Sequence, residues 1–188
     1  MDENAEEFLS LQKEVLLLKR RNIKLEAYTR RESIKIFNVK EDEATLDVTT
    51  ELLVCDMLWD KMKIPEEDVG SIRFKCVHRI ATRKPSSKPR PIIAKFSFYQ
   101  DKEFVWTFVK NLKGTAIGIA NDFPKEIDEI HQRLYPVLKK AKQAKQSAYF
   151  KVDKLIINGQ VYRGKETEVL EHYGAIIWST HSWWRAAT

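Results

Sequence analysis

The apolar residues of this chain change their spacing at a pair of adjacent arginines, Arg30 and Arg31. From Phe8 up to that point they recur in heptads, and neither proline nor glycine interrupts the segment, so the pattern predicts one continuous helix. Beyond it, Ser33–Val39 carries an apolar residue at every second position, which is typical of a strand with one buried face. The chain must therefore pass directly from a helix into a sheet, and it does so at a double positive charge.

The helical segment, residues 1–30, has the features of a short coiled coil. Asn22 occupies one of the a positions, where a polar residue lowers stability but sets register and strand number. Arg21 at g and Glu26 at the next e flank Leu25, which suits an ion pair between helices of a parallel trimer. A single amphipathic helix packed on its own domain is the alternative. The residues predicted to mediate oligomerisation are Leu11, Val15, Leu18, Arg21, Asn22, Leu25 and Glu26.

The spacing of apolar residues over 31–122 predicts the element order β-α-β-β-α-β. Two strand-helix-strand units of this length form a four-stranded antiparallel sheet with both helices on one face. The predicted strands are Ser33–Val39, Ser71–Ile80, Pro91–Tyr99 and Ala116–Ala120, and the predicted helices are residues 48–62 and 101–113. The first helix is expected to bury Val48, Leu52, Cys55, Trp59 and Met62, and the strands Ile34, Ile36, Ile72, Phe74, Cys76, Ile92, Ala94, Phe96 and Phe98.

Positive charge is concentrated in two blocks. Ser71–Tyr99 contains eight Lys and Arg residues and no Asp or Glu, and it includes a basic loop, Thr82–Arg90, broken by Pro and Ser. His131–Lys154 contains seven Lys and Arg residues against Asp153 alone. In a chain whose net charge is +6, this concentration favours a polyanionic partner over an evenly solvated surface.

Residues 123–165 predict a small α/β domain. Pro124 opens a helix with an acidic first turn and a basic end, as the helix dipole favours. Asn158-Gly159 is a strong hairpin signal between strands predicted at Tyr149–Ile157 and Gln160–Arg163. The tail of residues 166–188 has no assigned role, and a read-through extension is favoured over a packing helix or an exposed segment. The apolar stripe of the helix is Ile127, Ile130, Leu134, Leu138 and Ala141.

No residue pattern indicates an enzyme, a metal site or a cofactor. Cys55 and Cys76 lack C-x-x-C spacing and are expected to be buried free thiols of an intracellular protein. Asp122, at the end of the last predicted strand, is explained by helix capping. The acidic N-terminal sequence MDENAEEF differs from a secretory signal, and no apolar run reaches the length of a membrane span.

Five segments, in order along the chain, resemble one known family. They are RNIKLEAYTRRESIKIF from Arg21, VHRI from Val77, RPIIAKF from Arg90, DFPKEI from Asp122 and KLIINGQVYR from Lys154. Together they resemble the first-open-reading-frame protein of LINE-type retrotransposons, also labelled transposase-22, from about residue 8 to 165.

The resemblance implies a trimeric RNA-binding nucleic-acid chaperone that joins a coiled coil, an RNA-recognition-motif-like domain and a small C-terminal nucleic-acid-binding domain. Its partners would be single-stranded RNA, with DNA as a second candidate, and its own copies, rather than a membrane or a small-molecule substrate. It would lie in cytoplasmic ribonucleoprotein particles, with the nucleus as the alternative. Arg31 and Lys35 would contact RNA. The coil is shorter than the family's, and Arg133 alone stands where relatives often have consecutive arginines.

The side of the predicted sheet opposite the helices carries few aromatic residues. RNA-recognition-motif domains hold bases on aromatic residues of the first and third strands, where this chain has Lys35, Phe37, Ile93 and Lys95. Contacts to phosphate, with weak sequence preference, are therefore expected. The alternative function is a coiled-coil structural or adaptor protein that does not bind RNA. The residues predicted to bind RNA are Arg30, Arg31, Lys35, Phe37, Arg73, Lys75, Arg79, Arg83, Lys84, Lys88, Arg90, Lys95, Arg133, Lys139 and Lys140.

Overall fold

A computed structural model of the protein describes residues 3–41, 47–81 and 88–164. The fold is α+β, with a long N-terminal helix, α1 (Glu3–Arg30), followed by antiparallel strands and further helices. The predicted tail, residues 166–188, lies outside the described residues. The helix is uninterrupted up to the paired arginines, as the heptad spacing predicts.

Contacts between residues divide the chain into two units. One unit is Ala27–Phe123, and the other comprises the residues up to Glu26 together with those from Pro124 onwards. The elements of the first unit after α1 are β1 (Ser33–Phe37), α2 (Asp47–Asp60), α3 (Glu66–Ser71), β2 (Phe74–Arg79), β3 (Ile92–Phe96), α4 (Tyr99–Thr107), a 3-10 helix (Val109–Leu112) and β4 (Gly118–Asn121). Those of the second are α5 (Lys125–Gln143), β5 (Ala148–Lys151), β6 (Lys154–Ile157) and β7 (Gln160–Val161).

The four strands of the first unit form one antiparallel sheet in the order β2-β3-β1-β4. Ile34 pairs with Ala94 and Ile36 with Ile92, and all four are fully buried in a core shared with α2 and α4. The predicted alternation of β1 and β3 is confirmed through Phe96, which is also fully buried. Burial of each isoleucine and of Phe96 stabilises the fold by about 1.5–3 kcal/mol. A slip of one residue in the pairing would expose the whole set.

Helix α2 buries a different face from the predicted one. Leu52 and Trp59 are 60% and 53% exposed and Cys55 is half-buried, while Met62, just beyond the helix, is buried as predicted. The side chain of Val48 lies outside the described part of the chain. Apolar residues form two stripes of similar spacing along the helix, the predicted one and a second one. The sheet covers the second stripe. The residues of that stripe are Thr50, Val54, Met57 and Leu58.

Strand β2 also departs from the predicted pattern. Its pairing with β3 shifts between Phe74 and Cys76, and the irregularity reverses the faces of the residues that follow. Val77 is consequently buried and Cys76 exposed, so the prediction of a buried thiol at Cys76 is wrong. Phe98, expected in the core, lies beyond the end of β3 and is 58% exposed.

The second unit places α5 against a three-stranded antiparallel sheet in the order β5-β6-β7. The five residues of the predicted α5 stripe are all buried, which confirms it. Asn158-Gly159 forms the predicted hairpin turn, with both φ angles positive, at 50° and 80°. The segment predicted as one strand before it is instead two strands, joined by a turn at Val152-Asp153 with the φ of Val152 at 54°.

Candidate nucleic-acid interface

Helices α2 and α4 pack on one face of the sheet of the first unit, and the opposite face is termed here the open face. The residues of this face follow from the strand pairing, because residues that lie opposite each other on neighbouring strands share a face. Lys35 of β1 lies opposite Ile93, and Phe37 lies opposite Gly118, where an added Cβ would approach the Phe37 side chain to 3.9 Å. Asp122, which follows Asn121 of β4 and lies opposite Ser33, places one carboxylate at the end of this face. The strand residues of this face are Ser33, Lys35, Phe37, Cys76, His78, Ile93, Lys95, Gly118 and Ala120.

At the end of β1 nearest to α1, Asp122 binds two of the predicted RNA-binding cations. Its Oδ1 lies 3.1 Å from Nη1 of Arg30 and 3.2 Å from Nζ of Lys35, which also donates to the carbonyl oxygen of Phe123 at 3.4 Å. The Asp122 side chain is only 5% exposed. Helix α5 begins after Pro124 without a side-chain cap, so the capping interpretation of Asp122 is wrong. The carboxylate offsets half of the positive charge of Arg30 and Lys35.

Arg31 is held differently from its neighbour Arg30. Its guanidinium carbon lies 4.0 Å from the ring centroid of Tyr28 and 5.6 Å from that of Tyr99. Its Nε is buried without a hydrogen-bond partner, and among the described residues no carboxylate forms an ion pair with it. Burial and the nearby Glu103 raise the pKa of Tyr99 to about 12, so that ring stays neutral. Aromatic rings therefore position Arg31, and its charge is less compensated than that of Arg30.

Three further cations belong to the carboxylate-free block: Lys95 lies on β3, Lys75 on β2 and Arg73 immediately before β2. Lys95 donates to the carbonyl oxygen of Thr29 at 3.1 Å, in the last turn of α1, where the helix dipole favours a cation. Lys75 is half-exposed and pairs with Glu32 at 2.9 Å. Arg73 is exposed and donates to the carbonyl oxygen of Gly70 at 3.0 Å. The open face thus has Lys35 and Lys95 within it and additional cations at its edge.

Arg79 does not join this surface. The residue is only 9% exposed, and its guanidinium donates to the carbonyl oxygens of Val39 at 3.2 Å, Lys40 at 2.6 Å and Arg90 at 2.8 Å. It joins the segment after β1 to the segment before β3. The assignment of Arg79 as an exposed RNA-binding residue does not fit this position, because its hydrogen-bonding groups face the protein.

The loop before β3 is described only in part. Arg83 and Lys84 lie outside the described residues, whereas Lys88 is exposed. Arg90 binds Glu41 through Nε, at 2.9 Å, and through its backbone N–H. The backbone hydrogen bond from Arg90 lowers the pKa of the Glu41 carboxyl. Of these cations, Arg90 is therefore charge-paired on the surface.

The second unit carries its predicted cations on α5. Arg133, Lys139 and Lys140 are all exposed on the side of the helix away from its buried stripe. His131 instead stacks on Phe150, with ring centroids 4.2 Å apart, and its Nε2 forms a short hydrogen bond with the carbonyl oxygen of Val152. Burial lowers the pKa of His131. His131 is thus a neutral packing residue and not part of the exposed positive charge of α5.

The turn next to His131 contains a buried carboxyl group with a pH-dependent contribution to stability. Burial raises the pKa of Asp153 from 3.8 to about 6, against the opposing effects of Lys154 and Lys24. The folded state therefore binds the proton more tightly than the unfolded state, and this contribution is lost as pH rises from about 4 to about 6.

We expect Asp153→Asn to remove that loss, so that stability relative to the wild type increases steadily across this pH range. Melting temperature measured as a function of pH tests it. His131 is present in both proteins, and its lowered pKa changes stability with pH in the opposite direction. The difference in melting temperature between wild type and Asp153→Asn therefore reports the contribution of Asp153. A difference that does not vary with pH would contradict the expectation.

No protein-family model matches the chain. Among the described helices, none combines the length and apolar character that crossing a membrane requires. The described residues also contain no cluster of His, Cys, Asp and Glu side chains able to hold a metal ion. The site is therefore defined by its own geometry, which adds Tyr28, Tyr99 and Asp122 to the residues found from sequence. The signal for Tyr28 was its spacing, since residues three apart on a helix are neighbours.

Proposed function

We propose that the chain binds single-stranded RNA as a homotrimer and acts as a nucleic-acid chaperone of the LINE-type retrotransposon class. The observation that carries the proposal is the positive charge in and beside the open face, where Lys35 and Lys95 stand against the carboxylate of Asp122 and the stacked cation Arg31 follows the end of α1. Such a surface attracts phosphate groups without reading base identity. Cytoplasmic ribonucleoprotein particles are the proposed location, with the nucleus as the alternative.

The order of the strands supports an RNA-recognition-motif-like arrangement. The sheet order β2-β3-β1-β4, with α2 and α4 packed on one side, leaves the first and third strands at its centre. In that domain class these two strands hold bases on aromatic residues. Here Phe37 is the aromatic residue on the open face of β1, and β3 offers Ile93 and Lys95. The face is therefore suited to the RNA backbone, with Phe37 as a point of contact for one base.

The apolar surface of α1 supports the proposed trimer. Its apolar a and d residues are about half exposed or more in the single chain, whereas Ile23, at a b position, is buried. Contiguous exposed apolar surface of this kind marks an interface, and the a and d spacing matches a coiled coil. The exposed residues of this stripe are Phe8, Leu11, Val15, Leu18 and Leu25.

Removing two cations at the end of α1 and in β1 should weaken RNA binding. In Arg31→Ala/Lys35→Ala, up to six positive charges disappear from one trimer. The Lys35 side chain is only 17% exposed and pairs with the buried Asp122, so the substitution also lowers stability, by about 1–3 kcal/mol, and circular dichroism must show a folded variant before its affinity is compared. Affinity for single-stranded RNA should fall, and the slope of log affinity against log salt should become shallower by about 0.7 per lost phosphate contact. Filter binding or anisotropy at several salt concentrations measures both.

The matched control is Lys110→Ala/Lys113→Ala, which removes the same charge from exposed positions in and after the 3-10 helix. It should bind RNA with nearly the wild-type salt slope. The single variants refine the test: because Asp122 offsets the charge of Lys35 but not that of Arg31, Arg31→Ala should have the larger effect. Wild-type affinity in a folded trimer carrying both substitutions would contradict the proposal and favour the adaptor function.

A further inference from the structure

Beyond the charges on the open face, the end of α1 carries an ordered array of rings and cations. Arg31 lies between the rings of Tyr28 and Tyr99, and Lys102 continues the array between Tyr99 and Trp106, 5.6 Å and 5.1 Å from their ring centroids. All five residues belong to the same unit. The inner members are buried or half-buried, whereas Tyr28, at the outer end, is 57% exposed.

Tyr28, at the exposed end of the array, presents an aromatic ring, whereas the rest of the proposed RNA surface presents mainly positive charge. Arg31 covers one side of the Tyr28 ring at 4.0 Å, which restricts the ring before any ligand arrives. A planar ring held in this way, with most of its surface in solvent, can accept a second flat group on its other side. Unpaired bases stack on aromatic side chains with little sequence preference, because every base presents a π-face.

Tyr28 precedes a residue that contacts the open face. Thr29, the next residue, accepts a hydrogen bond from Lys95 of β3, so the last turn of α1 adjoins that face. Tyr28 occupies neither an a nor a d position of the heptad, so it does not form the centre of the coil. RNA whose phosphates contact Lys95 and Arg31 would bring a base within reach of the ring.

We propose that Tyr28, backed by Arg31, is a nucleobase-stacking site for an unpaired base of single-stranded nucleic acid. This inference rests on the proposed function, because it requires a nucleic acid on the open face. The Tyr28 ring supplies an aromatic contact that β3 lacks. The contact is non-ionic, so it adds affinity without adding to the salt dependence.

The test compares wild type and Tyr28→Ala on two probes: oligouridine, and an oligomer of the same length and backbone that lacks bases. Tyr28→Ala should weaken binding of oligouridine by at least about fivefold, the lower bound for stacking one base on an aromatic ring. Binding of the abasic oligomer, and the salt slope for both, should stay at the wild-type level. Tyr28→Phe keeps the ring and should bind both probes as the wild type does.

Three results would overturn the inference: equal binding of oligouridine by Tyr28→Ala and wild type, an equal loss on both probes, or a loss of trimer mass in Tyr28→Ala, which would make Tyr28 a contact between copies. The wild type alone tests the underlying function. If it fails to bind oligouridine in a salt-dependent manner, the proposed function fails. If it binds and Tyr28→Ala binds equally, the stacking site alone fails.

Discussion

Replacing Leu11 and Leu18 with aspartate is expected to convert the proposed trimer into monomers. Both leucines are 54% exposed in the single chain and occupy d positions. In a trimer each substitution would bring three carboxylates together at the centre of the coil, where like charges repel and apolar contact is lost. Light scattering at micromolar concentration should give the mass of one chain.

RNA affinity should fall with the mass, although no proposed RNA-binding residue is altered. Three linked sites bind one strand with an avidity that exceeds single-site affinity by about 10²–10⁴-fold, so a loss of at least about a hundredfold is expected. Circular dichroism of the sheet-containing units would show that they remain folded. An unchanged trimer mass would exclude the a and d stripe as the interface.

The chain offers a matched control on the same helix. Leu9 and Leu17 are also about half exposed, but they occupy b and c positions. Leu9→Asp/Leu17→Asp therefore introduces the same two charges and removes the same apolar groups away from the a and d stripe. This variant should remain trimeric and keep its RNA affinity. Dissociation of both variants would show that the effect comes from added charge and not from the heptad.

Elements whose pattern is purely local were predictable from the sequence. In β1, Ile34 and Ile36 alternate with polar or surface residues, and in α5 the apolar residues form a single stripe, so each element could bury only one face. Helix α2 carries two apolar stripes, and nothing within the helix determines that the sheet covers Val54 and not Leu52. In β2, one irregularity near Phe74 reversed the faces, and such a shift leaves no composition signal.

The charges of the site were visible in the sequence, but their partners were not. Asp122 lies 92 positions from Arg30, and Glu32 lies 43 positions from Lys75, so only the folded chain brings each pair together. A block of cations without carboxylates therefore predicts where cations are concentrated along the chain, yet it does not separate paired from unpaired members. Within the block, Arg79 is buried against backbone carbonyls and Arg90 is paired with Glu41, and composition indicates neither.

Replacing Arg79 should destabilise the first unit, an outcome opposite to that expected of an exposed RNA-binding residue. Its guanidinium donates to three backbone carbonyls from two separate segments. Arg79→Ala leaves those carbonyls without their donors, at about 2–3 kcal/mol, which corresponds to a lowering of the melting temperature on the order of 10 °C. Thermal melts followed by circular dichroism measure the change.

Arg79→Lys separates the two readings of this residue, because lysine keeps the charge but its compact ammonium group cannot reproduce the planar guanidinium donors. If Arg79 held the segments together, both variants would lose stability, and the folded fraction of each would bind RNA with the wild-type salt slope. If Arg79 contacted phosphate, Arg79→Lys would melt like the wild type and Arg79→Ala would show a shallower slope. Arg73 is exposed and lies immediately before β2. Arg73→Ala should change stability by about 0.5 kcal/mol or less, which sets the scale against which the loss at Arg79 is judged.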